Sequence, residues 1–215
     1  MLMSSAGAAL SAENVHRRRS AWMGKAGEEV ASRSVTLTDD PSDERGMLSS
    51  SYDDEGAPAS KKTLVDKGVL ESYLYDSYNA SLESMDPSGN GLRRRPEDAQ
   101  GIYLDPIGVW PMNLVLAPGT KSRVELIASV DEGVLIERLA YPEVNPITGA
   151  FGLEVRCGRM IKKGEIVQAI DRALLVGNMF EALRNVKEVA NDSTVFKYCV
   201  VPTICFDGIE LVGSA

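Results

Sequence analysis

Three acids stand in a row in Ser51-Tyr-Asp-Asp-Glu-Gly-Ala-Pro-Ala-Ser60: Asp53, Asp54 and Glu55, followed by Gly56 and Pro58. In an extended segment successive side chains point to opposite faces, so Asp53 and Glu55 would share one face and Asp54 the other. Two carboxylates on one face can raise each other's pKa or hold a hard cation. A cation such as Ca²⁺ takes about six or more oxygens, and no D-x-[DN]-x-[DN]-G loop supplies them. On residue types alone, the stretch reads more readily as a solvated turn than as an acid cluster.

Nucleophilic and metal chemistry have few candidates. His16 is the only histidine, and it precedes Arg17, Arg18 and Arg19, which would disfavour its charged form. A zinc-peptidase helix carries two histidines one turn apart with a glutamate between them, which one histidine cannot provide. The cysteines are Cys157, Cys199 and Cys205, an odd count with no CxxC and no zinc spacing. They read as idle or buried thiols in a reducing cytosol. The glycines of Met85-Asp-Pro-Ser-Gly-Asn-Gly-Leu-Arg93 lack both the Lys-Ser/Thr of a P-loop and the GxGxxG spacing.

The elements that must position these residues are short. Leu64-Val65 and Val69-Leu70 flank Lys67-Gly68 and predict a hairpin, and residues 76–85 predict a short helix. Ser122 with Glu125 forms a capping box, with Val124, Ile127 and Val130 as the apolar face and Gly133 as the stop. Asn178 caps a second helix running on to residue 190, with Met179, Leu183 and Val186 on its apolar face. Phe151, Leu153 and Val155 alternate as a strand, and the last strands are expected to form a hairpin about Asp207-Gly208. Lys67-Gly-Val-Leu70, Glu132-Gly-Val-Leu135 and Lys163-Gly-Glu-Ile166 share a pattern that either marks a duplication or reflects turn chemistry alone. The fold class is α+β: a mostly antiparallel sheet or half-barrel built of hairpins, with a few capped helices.

With 215 residues the chain fits one large domain, expected over 1–215, with a core that needs no staples. A net charge of −8 repels phosphate, so nucleic acid is not an expected partner; the runs Arg17–Arg19 and Arg93–Arg95 read as solvated faces. No apolar run approaches the roughly 18 residues a membrane span needs, and the N-terminus is not patterned as a secretory signal. A cytoplasmic location is expected.

Several segments, taken in order, resemble the C-terminal domain of the TldD/PmbA family. They are Ser20-Ala-Trp-Met-Gly-Lys-Ala-Gly-Glu-Glu-Val-Ala-Ser32, residues 35–41, residues 52–80 with Asp53-Asp-Glu-Gly56, Ser88-Gly-Asn-Gly-Leu-Arg-Arg94, and Asn113-Leu-Val-Leu-Ala-Pro-Gly119. Asn145-Pro-Ile-Thr-Gly-Ala-Phe151, Lys162-Lys-Gly-Glu-Ile166, residues 174–183 and Val201-Pro-Thr203 complete the set. The ordered set covers nearly the whole chain.

The resemblance implies zinc metallopeptidases also described as modulators of DNA gyrase, with an N-terminal α/β domain that this chain lacks. Active members carry HExxxH on a helix upstream of the glycine-rich loop and a late cysteine as zinc ligands. The matching stretch, residues 1–20, has no histidine pair, and Cys199 is a weak match to the late cysteine. The chain is therefore similar to the PmbA type, which lacks HExxxH. The resemblance then implies no cofactor on this chain and zinc on a TldD-type homologue, its partner in a homo- or heterodimer that encloses a peptide cleft. Asp54, Glu55, Gly56 and Asn90 would shape that cleft or hold a peptide backbone by strand addition. The alternatives are an active metallopeptidase with atypical ligands, or a non-catalytic interaction module regulating a partner such as gyrase.

Overall fold

The turn at Lys67-Gly68 forms as its residues predict. Both adopt left-handed backbone (φ 45° and 87°), the conformation of a type I′ hairpin turn. They join β2 (Lys62–Asp66) to β3 (Val69–Leu70). In the computed structural model, which describes residues 2–93, 104–140, 143–170 and 172–213, this hairpin is one edge of a six-stranded sheet. Its other strands are β1 (Leu37–Asp39), β6 (Leu114–Leu116), β13 (Cys199–Val201) and β12 (Thr194–Phe196), in the order β12-β13-β6-β1-β2-β3. All neighbours are antiparallel except β13 and β6, which run parallel.

The main core lies on this sheet. Leu37, Leu64, Leu70 and Leu114 are fully buried against Ala9 and Leu10 of α1 (Leu2–Leu10), Trp22 and Leu183. Trp22 packs edge-on to Phe180 at 5.8 Å between ring centroids. A five-stranded sheet holds two smaller cores. It contains β7 (Glu132–Ala140), β8 (Ala150–Lys162), β9 (Glu165–Ile170), β10 (Ala173–Asn178) and β15 (Glu210–Val212). On β8 the predicted alternation holds: Phe151, Leu153 and Val155 are buried, while Gly152, Glu154 and Arg156 are exposed. The architecture is α+β with antiparallel sheets and no closed barrel among the described residues.

Two of the three copies of the recurring Gly pattern are turns. Lys163-Gly164 is a second left-handed turn (φ 50° and 79°) joining β8 to β9, but Glu132-Gly133 lies inside β7 and turns nothing.

Three expectations need correction. The capping box of α4 (Arg123–Ala128) is present, yet the helix stops at Ser129, Val124 is exposed and Leu126 is the buried residue. Six residues are too few to present the predicted stripe, and Gly133 belongs to the next strand. Likewise Asn178 caps α5 (Met179–Arg184), but the helix ends at Asn185. Val186 to Val189 form β11, satisfied by the partner strand β14 (Ile204–Phe206) instead of a further helical turn. Asp207-Gly208 joins no hairpin: β14 pairs with β11 and β15 with β10, so the turn carries the chain from one sheet to another. Of the run Arg93–Arg95, Arg93 is exposed, and Arg94 and Arg95 lie outside the described residues.

Candidate functional site

The acidic stretch is not extended. Asp53 is buried, and its carboxylate folds the backbone around itself: Oδ1 accepts from Glu55 N (3.0 Å) and Ala57 N (2.8 Å). Gly56, at φ 80°, donates its amide to Asp53 O (3.1 Å). This is Asx-turn chemistry, so Asp53 and Glu55 do not share a face as the extended reading required.

The turn is clasped to β4 (Gly91–Leu92). Asp53 Oδ2 accepts from Gly91 N (2.9 Å), Asp54 N donates to Gly91 O (3.0 Å), and Asp54 Oδ2 accepts from Arg93 N (2.7 Å). Glu55 is exposed and reaches the other way, where its Oε2 accepts from Ser77 N (2.7 Å) at the start of α3 (Ser77–Leu82). Asp53-Asp-Glu-Gly56 and Ser88-Gly-Asn-Gly91 are thus one construction. The glycines permit the approach: a Cβ on Gly89 (φ 73°) would stand 2.5 Å from Pro58 O, and one on Gly91 would stand 2.2 Å from Glu55 Oε2.

Asn90 sits beneath this clasp with 0% exposure. Its Nδ2 donates to Asp39 Oδ2 (2.7 Å) and Trp110 O (2.9 Å); its Oδ1 accepts from Lys62 Nζ (3.0 Å) and Ser88 Oγ (2.7 Å). The amide's hydrogen-bonding capacity is filled within the chain. Asp39, also fully buried, accepts from Met112 N and Asn113 N through Oδ1 and pairs with Lys62 through Oδ2 (3.3 Å). Burial pushes the Asp39 carboxyl up, against the pull of Lys62, Asn90 and the Asn113 amide.

Beside the clasp opens a cleft of about 420 Å³, lined by Glu13, His16, Arg17, Glu55, Asp76, Tyr78, Asn79, Leu82 and Ile107. His16 closes α2 (Ala12–His16) and ties it to α3: Nδ1 lies 2.7 Å from Asn79 Oδ1, and Nε2 lies 2.7 Å from Glu83 Oε1. Asn79 Nδ2 donates to Asp76 Oδ1 (2.8 Å), which turns the amide oxygen toward the imidazole. Both ring nitrogens face side-chain oxygens, and the Asn79 bond, with that of Glu83, raises the ring's pKa from its ordinary value. The expected depression by the three arginines is overturned, since Asn79 and Glu83 dominate. Tyr75 OH donates to the other Glu83 oxygen (3.0 Å).

Zinc is the metal the resemblance implies, and the donors here do not fit it. Both nitrogens of the His16 ring are already engaged, by Asn79 and Glu83. Cys199 is buried, and desolvation pushes its thiol up to about 11. Among the described residues no group of three or more His, Cys, Asp or Glu side chains is arranged to hold a metal ion.

Of the residues singled out from the sequence, Asp54, Glu55, Gly56 and Asn90 come together, with Glu55 alone lining the cleft and Cys199 lying in the main core. Sequence reasoning missed Asp76, Asn79 and Glu13. The signal for the first two was present: Asp76 stands three residues before Asn79 and caps α3 by accepting from its amide (2.7 Å).

Residues 1–213 match the model of the PmbA/TldA metallopeptidase C-terminal domain. A protein of Methanocaldococcus jannaschii described only as uncharacterized is 33% identical over 93% of this chain and 45% of its own length. The metalloprotease TldD homolog of Haemophilus influenzae is 28% identical over 90% of this chain and 39% of its own. Among solved structures, a Thermotoga maritima protein described as a modulator of a DNA gyrase superposes with a TM-score of 0.88 at 32% identity, covering 98% of this chain and 46% of that one. TldE from Thermococcus kodakarensis gives 0.85 at 28% identity, covering 95% and 46%. The chain thus spans less than half the length of these relatives. With the family model matched almost end to end, the chain belongs to the PmbA/TldD metallopeptidase family, by its C-terminal domain.

Proposed function

We propose that this chain acts in cytoplasmic proteolysis of small or unfolded peptides as the non-zinc subunit of a TldD/PmbA-type pair. It shapes the peptide cleft, and the zinc and its general base reside on a TldD-type homologue. The observation that carries this reading is the commitment of both ring nitrogens of His16, the only histidine, to Asn79 and Glu83. The likeness to TldE supports it. Glu55 of the Asp54-Glu55-Gly56 turn lines the cleft, and buried Asn90, bonded to Asp39, Lys62, Ser88 and Trp110, supports the strand that clasps this turn. The test is metal content per chain, by plasma mass spectrometry on protein purified without chelators, alone and with a zinc-bearing homologue. Zinc is expected only with the homologue. One zinc per chain on this protein alone would overturn the proposal.

A further inference from the structure

Asp76 poses a problem that its cap role does not solve. It is 6% exposed, yet it lines the cleft. Its Oδ1 accepts twice, from Asn79 N and Asn79 Nδ2. Among the described residues nothing donates to Oδ2. A carboxylate oxygen buried without a donor is costly, and sites of this kind are filled by water or by a ligand.

The charges around it point to the ligand's sign. Among the described residues the two cations of the cleft each have an ion pair, Arg17 Nη2 to Glu13 Oε1 at 3.0 Å and His16 Nε2 to Glu83 Oε1 at 2.7 Å, and at longer range the Asp76 charge also favours charged His16. Asp76 and Glu55 remain without an ion-pair partner among the described residues. Glu55 spends one oxygen on Ser77 N, the residue after Asp76, and both carboxylates line the same cleft. Two carboxylates give too few oxygens for a hard cation, which wants about six. Three N–H donors on one small cation suit them well. The lining also includes Tyr78, Leu82 and Ile107, which offer apolar surface, with Tyr78 and Leu82 largely exposed.

We infer that this cleft binds a primary ammonium group carried on an apolar stretch of peptide, with Asp76 and Glu55 as its acceptors. The ammonium is a peptide N-terminus or a lysine head, and the adjoining apolar side chain lies on Tyr78 and Leu82. This rests on the reading of the cleft as a peptide site, and it names what that site recognises.

The test is calorimetric titration of the full chain, alone and with a zinc-bearing homologue, with three probes: Leu-Ala-Ala-amide, its N-acetyl form, and N-acetyl-Leu-Lys-Ala-amide. The first should bind about tenfold tighter than the second, the scale of one lost charge-assisted hydrogen bond. Asp76→Asn keeps the helix cap and Glu55→Gln keeps an acceptor for Ser77 N, so both should fold, and each should shrink that gap. If the third probe matches the first, a lysine head serves as well as a terminus. Equal binding of free and acetylated peptides, or a gap that survives in both variants, overturns the inference and leaves the peptide cleft standing. No binding of any probe overturns both.

Discussion

The carboxylate of Glu55 lies across the α-carbon of Gly91, where a Cβ would stand 2.2 Å from Oε2 and 2.9 Å from Glu55 Cγ. The acid turn and the glycine strand therefore exclude side chains from each other's path. Gly91→Ala displaces the end of a flexible side chain, whereas Gly89→Ala meets backbone at 2.5 Å and forces an L residue to φ 73°. Urea denaturation should show Gly91→Ala costing about 1 kcal/mol and Gly89→Ala more, about 2–3 kcal/mol. No cost at all for Gly91→Ala would mean that Glu55 is not held over Gly91.

The three neighbouring acids should separate by substitution. Asp53→Ala strands three amides, those of Glu55, Ala57 and Gly91, and should cost about 2–4 kcal/mol. Asp54→Ala with Glu55→Ala should cost about 1 kcal/mol or less while lowering peptide turnover by the assembled pair. Turnover unchanged in the double variant would remove both from the cleft.

Asn90→Ala leaves Asp39 and Lys62 each short of a partner in a buried site, and a loss of about 2–4 kcal/mol is expected by thermal or urea denaturation. Asn90→Asp should be worse above the carboxylate range, because two buried acids would then share Lys62. Stability like that of the parent in both variants would show that the site is open to water.

His16 gives a pH-dependent contribution. Its folded pKa is raised above 6.5, so folding takes up a proton there; the stabilisation is complete below about 6.5 and is lost as pH climbs through the raised value. The stability gap between the parent and His16→Gln should be widest near pH 6 and narrow steadily toward pH 9. A gap that widens with pH would show the ring to be neutral in the fold.

What was legible in the sequence is local. Lys67-Gly68, Lys163-Gly164, Ser122 with Glu125 and Asn178 each act within four residues, and each forms as its residue types dictate. Partnerships across the chain were not legible. The state of His16 is set by Asn79 and Glu83, 63 and 67 residues away, and not by the adjoining arginines. Asp53 turned inward because Gly91 offers an amide that no periodicity in residues 51–56 announces. Asp207-Gly208 carries the strongest short hairpin signal in the chain, yet both flanking strands find partners elsewhere.

The central strand β6 has one consequence for how the chain acquires its structure. Leu37 pairs with Leu116, and Val115 in turn pairs with Val200, so the sheet over the main core is stitched from three distant parts of the chain. Synthesised from its N-terminus, the protein can close the β2–β3 hairpin early, but that sheet stays incomplete until residue 200 has emerged. Such topology folds slowly and leaves Leu37, Leu64 and Leu114 uncovered in the interval, which exposes the nascent chain to aggregation.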